Sequence, residues 1–179
     1  MVSIDGTDCP YEAKGREWWS YKFRKTGLRY LVALCIKTGD IVYIDGPFPP
    51  GKGGMNDLAT FRWGIMGWLE EDERAEADDG YLGEAPRYIK CPKSFTRLDK
   101  ALQMEQNVRS RHENVNKRLK QWACLRNRFR HHDFEKHSSC FRAVAVLTQI
   151  AIEHGEPLPD VEYSDAIVEV NAVEDEDDE

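Results

Sequence analysis

The sequence predicts an α/β fold, a mixed sheet flanked by helices and followed by a disordered acidic tail. Three observations lead there. Short runs of β-branched, aromatic and aliphatic residues are joined by a tight Gly-containing turn near residues 37–40. Apolar residues recur at three- and four-residue spacing between 108 and 122. Residues 155–179 hold eleven Asp or Glu and no Lys or Arg, the last six all acidic.

Taken in order, residues 1–4 form a short hydrophobic start that Asp5 closes at the turn Asp5-Gly6-Thr7. Residues 30–36 and 41–44 read as a hairpin. Residues 46–54 contain three prolines and four glycines and cannot form a regular element. Asn56 or Asp57 then caps a helix through residue 69. A short strand at 74–77 ends on Asp78 at the turn Asp79-Gly80-Tyr81, and residues 86–96 are irregular or briefly extended. A long helix spans about 99–122, its buried stripe made by Val108, His112, Val115, Leu119 and Trp122. Ser138 or Ser139 caps a last helix, apolar on nearly all sides and expected to be buried. Strand, hairpin, helix, strand, helix is the order of the ribonuclease-H-like fold, in which catalytic acids gather at one edge of a central mixed sheet.

The chain of 179 residues is long enough for one domain, expected at 1–154, with 155–179 as the tail. It lacks a run of 18 apolar residues and a signal-peptide pattern, so an intracellular protein away from membranes is expected. Five widely spaced cysteines without C-x-x-C argue for reduced thiols rather than a disulfide framework or zinc knuckle. The net charge of −7 is an average over unlike parts, for residues 1–154 carry +4. Residues 106–132 hold eight cations against the single acid Glu113. That basic strip is a place for a polyanion.

Asp5, Asp78 and Glu113 come from three different elements, with Asp57 between the first two. Carboxylates gathered this way repel unless a cation lies among them, and Mg²⁺ or Mn²⁺ suits their oxygens. Arg109, Glu113 and Lys120 share one face of the long helix by whole-turn spacing, although an exposed helix with ordinary ion pairs has the same pattern. The segment from Gly46 to Lys52 fits half of a phosphate-binding loop, but Gly53 replaces the required hydroxyl and three prolines remove amides. Trp18 and Trp19 could stack on flipped bases, but an aromatic pair more often completes a core, and that is the expectation for both.

Ser3-Ile4-Asp5-Gly6-Thr7, Gly46-Pro47-Phe48-Pro49 followed by Asn56-Asp57, Asp78-Asp79-Gly80-Tyr81, and the run from Arg109 through Glu113 to Lys120 and Trp122 together resemble the DDE endonuclease domain of PIF/Harbinger transposases. The resemblance covers residues 1 to about 155. The Arg-x3-Glu-x6-Lys spacing also resembles that of bacterial insertion-sequence transposases, whose preceding Tyr is Gln106 here. The resemblance implies a nuclear, metal-dependent nuclease and strand transferase. Its catalytic residues would be Asp5, Asp78 and Glu113, and its metal ligands Asp5, Asp57, Asp78 and Glu113, holding two Mg²⁺ or Mn²⁺ ions about 3.5–4 Å apart. Arg109, Arg111, Lys117, Arg118 and Lys120 would contact DNA, both transposon ends and target, with oligomers forming on DNA. Family members carry an upstream helical DNA-binding region, whereas this sequence starts almost at the first strand; a Myb-like partner protein could supply that function. Topology favours Asp78 over Asp57 as the second catalytic acid. The alternative is a domesticated or decayed copy kept as a DNA- or protein-binding module without catalysis.

Overall fold

The computed structural model describes residues 1–22, 24–94 and 99–163, with side chains described for all of these except 94 and 99–105. It is a mixed α/β structure whose sheet is flanked by helices on both faces. Strand β1 (Val2–Pro10) pairs antiparallel with β3 (Lys25–Cys35), which pairs antiparallel with β4 (Ile41–Phe48) on its other side. The short β2 (Trp19–Ser20) adds to the start of β3. On the far side of β1 lie β5 (Ala75–Glu76) and then β6 (Ile89–Lys90), both parallel to their neighbours.

Strand β3 reads as a continuous apolar run because both its faces are covered. Leu28, Tyr30, Val32 and Leu34 face a core built with helices α2 (Asp99–Leu119), α3 (Ala123–Arg126) and α4 (Phe134–Glu153). Leu31 and Ala33 face a second core with Phe61 of α1 (Asp57–Trp63), Ile65 of the following 3-10 turn, and Tyr81.

Several local expectations change. Asp5 does not close a strand at a turn, since β1 runs on to Pro10 under the pairing of β3. Gly6 serves a close approach instead: a Cβ there would come within 2.4 Å of Asp57 Oδ1. The hairpin is longer than the sequence suggested, and β4 reaches Phe48, into the Pro/Gly-rich segment. Trp122 leaves the buried stripe because α2 stops at Leu119, which turns Trp122 into the residue before α3 with 46% of its surface exposed. Helix α4 is capped by Asp133, whose carboxylate accepts from Lys136 N, and not by Ser138 or Ser139. That earlier start places His137 and Phe141, one turn apart, both against the Tyr30 ring. The helix is buried on one side only, with Val146, Leu147 and Ile150 exposed.

The acidic segment does not leave the domain at residue 155. Leu158 is buried in the core, and Arg111 and Arg118 donate to backbone carbonyls of residues 156, 157 and 159. Residues 164–179, the rest of the expected tail, lie outside the described residues. No helix among the described residues is long and apolar enough to cross a membrane.

Candidate functional site

The acids come together through two simple registers. In the first, Val2 and Ser3 of β1 lie opposite Ala75 and Glu76 of β5. Two residues beyond that pairing on each chain, Asp5 and Asp78 line one cleft. In the second, His112 Nε2 and Ser3 Oγ share a hydrogen bond of 2.9 Å, and Asn116 Nδ2 donates to Asp5 Oδ2 at 3.1 Å. Two residues of strand rise about 6.6 Å and four of helix about 6 Å, so α2 runs beside β1 in step with alternate side chains. The same alignment brings Glu113 to the mouth of a cleft of about 190 Å³ lined by Asp5, Glu76, Asp78, Arg109, His112 and Glu113, among others.

Asp78 caps the 3-10 helix Asp79–Glu84, its Oδ1 accepting from Gly80 N at 2.9 Å. Its neighbour Asp79 turns away, accepting from Lys93 N and pairing with Lys93 Nζ. Asp57 is not the helix cap, because Asn56 takes that role and accepts from Ala59 N. Asp57 instead reaches across Gly6 toward the acid group and pairs with Arg29 at 3.1 Å. Arg29 also donates to both oxygens of buried Asp8, the residue directly opposite it across β1 and β3, and Ser20 donates to Asp8 as well.

Burial raises the carboxyl pKa of Asp5, and the Asp78 charge adds to that, while Lys22 and the hydrogen bond from Asn116 oppose it. Asp57 is raised for the same first reason, with Asp78 and Asp5 adding and Lys22 and Arg29 opposing. Tyr81, buried beneath the group, is raised well above its usual value by burial and then by Asp57, Asp5 and Asp78. Asp5, Asp57 and Asp78 therefore act on one another electrostatically. Among the described residues, no group of three or more His, Cys, Asp or Glu side chains is placed to hold a metal ion.

The five expected phosphate-binding cations divide. Arg111 is 3% exposed and donates to the carbonyls of Ile36 and Pro159, so it holds the fold together and cannot meet DNA. Arg118 is tied to the 156–157 backbone. Arg109 lines the cleft, Lys117 is exposed and Lys120 half-buried. Four residues of the site escaped the sequence reading. Asn116 lay within a quoted motif, yet nothing marked it as a partner of Asp5. Arg29 becomes visible only when the β1–β3 register sets it opposite Asp8. Lys22, which donates to the carbonyl of Gly6, and Glu76 carry no local signal at all.

Two buried histidines give the fold a pH signature. Burial pushes the imidazole pKa of both His112 and His137 down to about 4, below the usual 6.5. Below about 6.5 the unfolded chain binds protons that the folded chain does not, so stability falls as pH drops toward 4, by up to about 1.4 kcal/mol per pH unit for each histidine. Asp5 and Asp57 act in the opposite sense in acid, since their raised values favour the protonated folded form. Urea unfolding at pH 7 and pH 5 should therefore show lower stability at pH 5, and His137→Gln should flatten that dependence; an unchanged profile would contradict the assignment.

A scan against protein-family models, a search of curated proteins and a search of solved structures each return no match.

Proposed function

We propose that this chain is the catalytic core of a metal-dependent DNA nuclease or strand transferase of the Harbinger-like DDE type, built on a ribonuclease-H-like sheet. The carrying observation is the cleft that Asp5, Asp78 and Glu113 line together, Asp5 from β1, Asp78 from just past the parallel strand β5 and Glu113 from α2. The strand order supports the same reading. Leaving aside the two-residue β2, the order β4-β3-β1-β5-β6, with the hairpin antiparallel and the last two strands parallel to β1, resembles that of ribonuclease-H-like sheets.

Carboxylate oxygens are the donor type that hard divalent ions such as Mg²⁺ or Mn²⁺ take. Asp5 and Asp57 are held in proton-retaining surroundings by burial and by each other's neighbours, a penalty that a bound cation relieves. Asp5, Asp57, Asp78 and Glu113 would hold the ions. Such ions supply an activated water or DNA 3′-hydroxyl and stabilise the leaving oxygen. The chain's own groups prepare the site: Asn116 orients Asp5, Gly80 N–H fixes Asp78, and Arg29 positions Asp57. The Ser3–His112 hydrogen bond locks α2 against β1. Arg109, Lys117 and Lys120 would neutralise phosphates, a contribution that weakens with salt. A nucleus, a Myb-like partner and assembly on DNA ends belong to the same proposal.

The direct experiment is nicking of supercoiled plasmid in Mn²⁺, with EDTA as control. Metal-dependent conversion to open circle is expected; a highly purified, folded chain that never nicks in Mn²⁺ or Mg²⁺ leaves only the non-catalytic binding module. A second measurement concerns stability. Asp5 has a folded pKa above its unfolded value, so its contribution falls as pH rises through that interval and is unfavourable at neutral pH. Asp5→Asn should raise the thermal midpoint in EDTA at pH 7 and abolish much of the further rise that Mn²⁺ gives the wild type. A lower midpoint in EDTA would mean that Asp5 is satisfied without a metal.

A further inference from the structure

A second concave surface lies at the far end of β1, roughly 17 Å from Asp5 by five residues of strand rise. It is a cleft of about 520 Å³ lined by Trp19, Arg24, Lys25, Arg126 and Arg128, with Tyr11 at its base. We infer that this cleft binds single-stranded nucleic acid, with a base stacked on Trp19 and the adjoining phosphates held by the four cations.

The fold presents these groups for a reason. In β2 the hydroxyl of Ser20 points inward to Asp8 and is fully buried, so strand alternation turns Trp19 outward. Backbone pairing of Trp19 with Thr26 holds its position, and Thr26 in turn bonds the backbone of Tyr11 in both directions. The Trp-Trp pair is thus divided between two tasks. Trp18 stacks on Phe134 at 4.9 Å between ring centres, while Trp19 keeps 40% of its surface open. On the opposite wall, Phe129 is buried, its N–H donates to Pro10 O, and it forms a bridge with Tyr11. That anchor sets Arg126, at the end of α3, and Arg128 at the cleft.

Four cations and one open indole in a concavity suit a polymer with both phosphates and flat rings. A base in a duplex is already stacked and cannot lie on the indole, which is why an unpaired strand is the better fit. The nearest competitor is internal. Glu12 pairs with Arg128, but both side chains are at least half exposed and the pair is therefore worth little. An acidic peptide would satisfy the cations but has no planar ring to place on Trp19.

The inference does not depend on nuclease activity, and its test is run in EDTA so that no cleavage occurs. A fluorescein-labelled oligothymidylate is titrated by anisotropy at several salt concentrations. Trp19→Ala should weaken binding by about 5- to 150-fold, corresponding to one stacked base, with little change in salt slope. Arg126→Gln with Arg128→Gln should weaken it and reduce the slope by about 1.4, for two phosphate contacts on a single strand. Glu12→Gln should tighten binding by freeing Arg128, and Trp19→Phe should recover part of the affinity. Circular-dichroism melting identifies any variant that has lost its fold, and Trp19→Phe with Glu12→Gln keep the test decisive if another variant fails. Wild-type levels of binding in all variants overturn the inference. So does a result in which heparin or an acidic peptide binds as tightly as the oligonucleotide and Trp19→Ala has no effect. Absence of plasmid nicking has no bearing on this titration, and loss of oligonucleotide binding has none on the acid site.

Discussion

Asp78→Asn should reduce Mn²⁺-dependent plasmid nicking by at least about 10²-fold while leaving the circular-dichroism spectrum unchanged. A metal ligand that supports several kcal/mol of charge stabilisation, at about 1.4 kcal/mol per tenfold, sets that scale. The neutral amide can still accept the Gly80 N–H bond, so the 3-10 turn keeps its cap. Asp57→Asn should leave measurable activity. Asp57 starts the helix rather than ending a strand, and its closest charged partner is Arg29. Equal losses at the two positions would show that four acids act together. Loss at Asp57 with retention at Asp78 would reverse the assignment.

Arg29→Met should destabilise the fold by about 3–5 kcal/mol, measured by urea unfolding at pH 7. Its side chain is 7% exposed and that of Asp8 1%. Removing the cation leaves a buried carboxylate with the Ser20 hydroxyl as its remaining partner in the network, and an uncompensated buried charge is costly. Asp57, whose side chain is 20% exposed, contributes less to that cost. The double variant Asp8→Leu with Arg29→Met should be much less destabilised than Arg29→Met alone, because replacing both members of a buried pair by apolar groups removes the orphan. If the double variant were no better than the single, the loss would come from packing around the guanidinium. These two experiments separate the roles of neighbouring groups, since the first tests the proposed reactivity at Asp78 and the second the framework in which Arg29 holds Asp57.

Local chemistry sufficed for the broad architecture. The β-branched runs around Thr38 and Gly39, the Asn56 cap and the stripe of Val108, His112, Val115 and Leu119 each rest on interactions within a few residues, and each forms. Arg109 and Glu113 do reach one cleft as their spacing predicts, but Lys120, expected on the same face, follows the last residue of α2 and does not line it. What failed in the sequence reading depended on distant partners. The limits of β1 are set by the full-length pairing with β3, which carries the strand through Asp5 and Gly6 to Pro10. The fate of Arg111 and Arg118 is decided by residues 36 and 156–159, whose carbonyls attract guanidinium groups that look solvent-facing in a basic strip.

The acid group shows the division most clearly. The sequence supplied Asp5, Asp78 and Glu113 as candidates by their placement on three different elements, and the resemblance added Asp57 as a metal ligand. Only the tertiary structure set Asp5 beside Asp78, released Asp57 from capping and tied it to Arg29, and added Lys22 and Asn116 around them. The physical reason is that electrostatic coupling depends on separation in space and on exclusion of water, and neither is a property of spacing along a chain. Trp18 and Trp19 make the same point at smaller scale, for adjacent identical residues became a half-buried ring packed on Phe134 and an open one, the first ending a 3-10 turn and the second beginning β2.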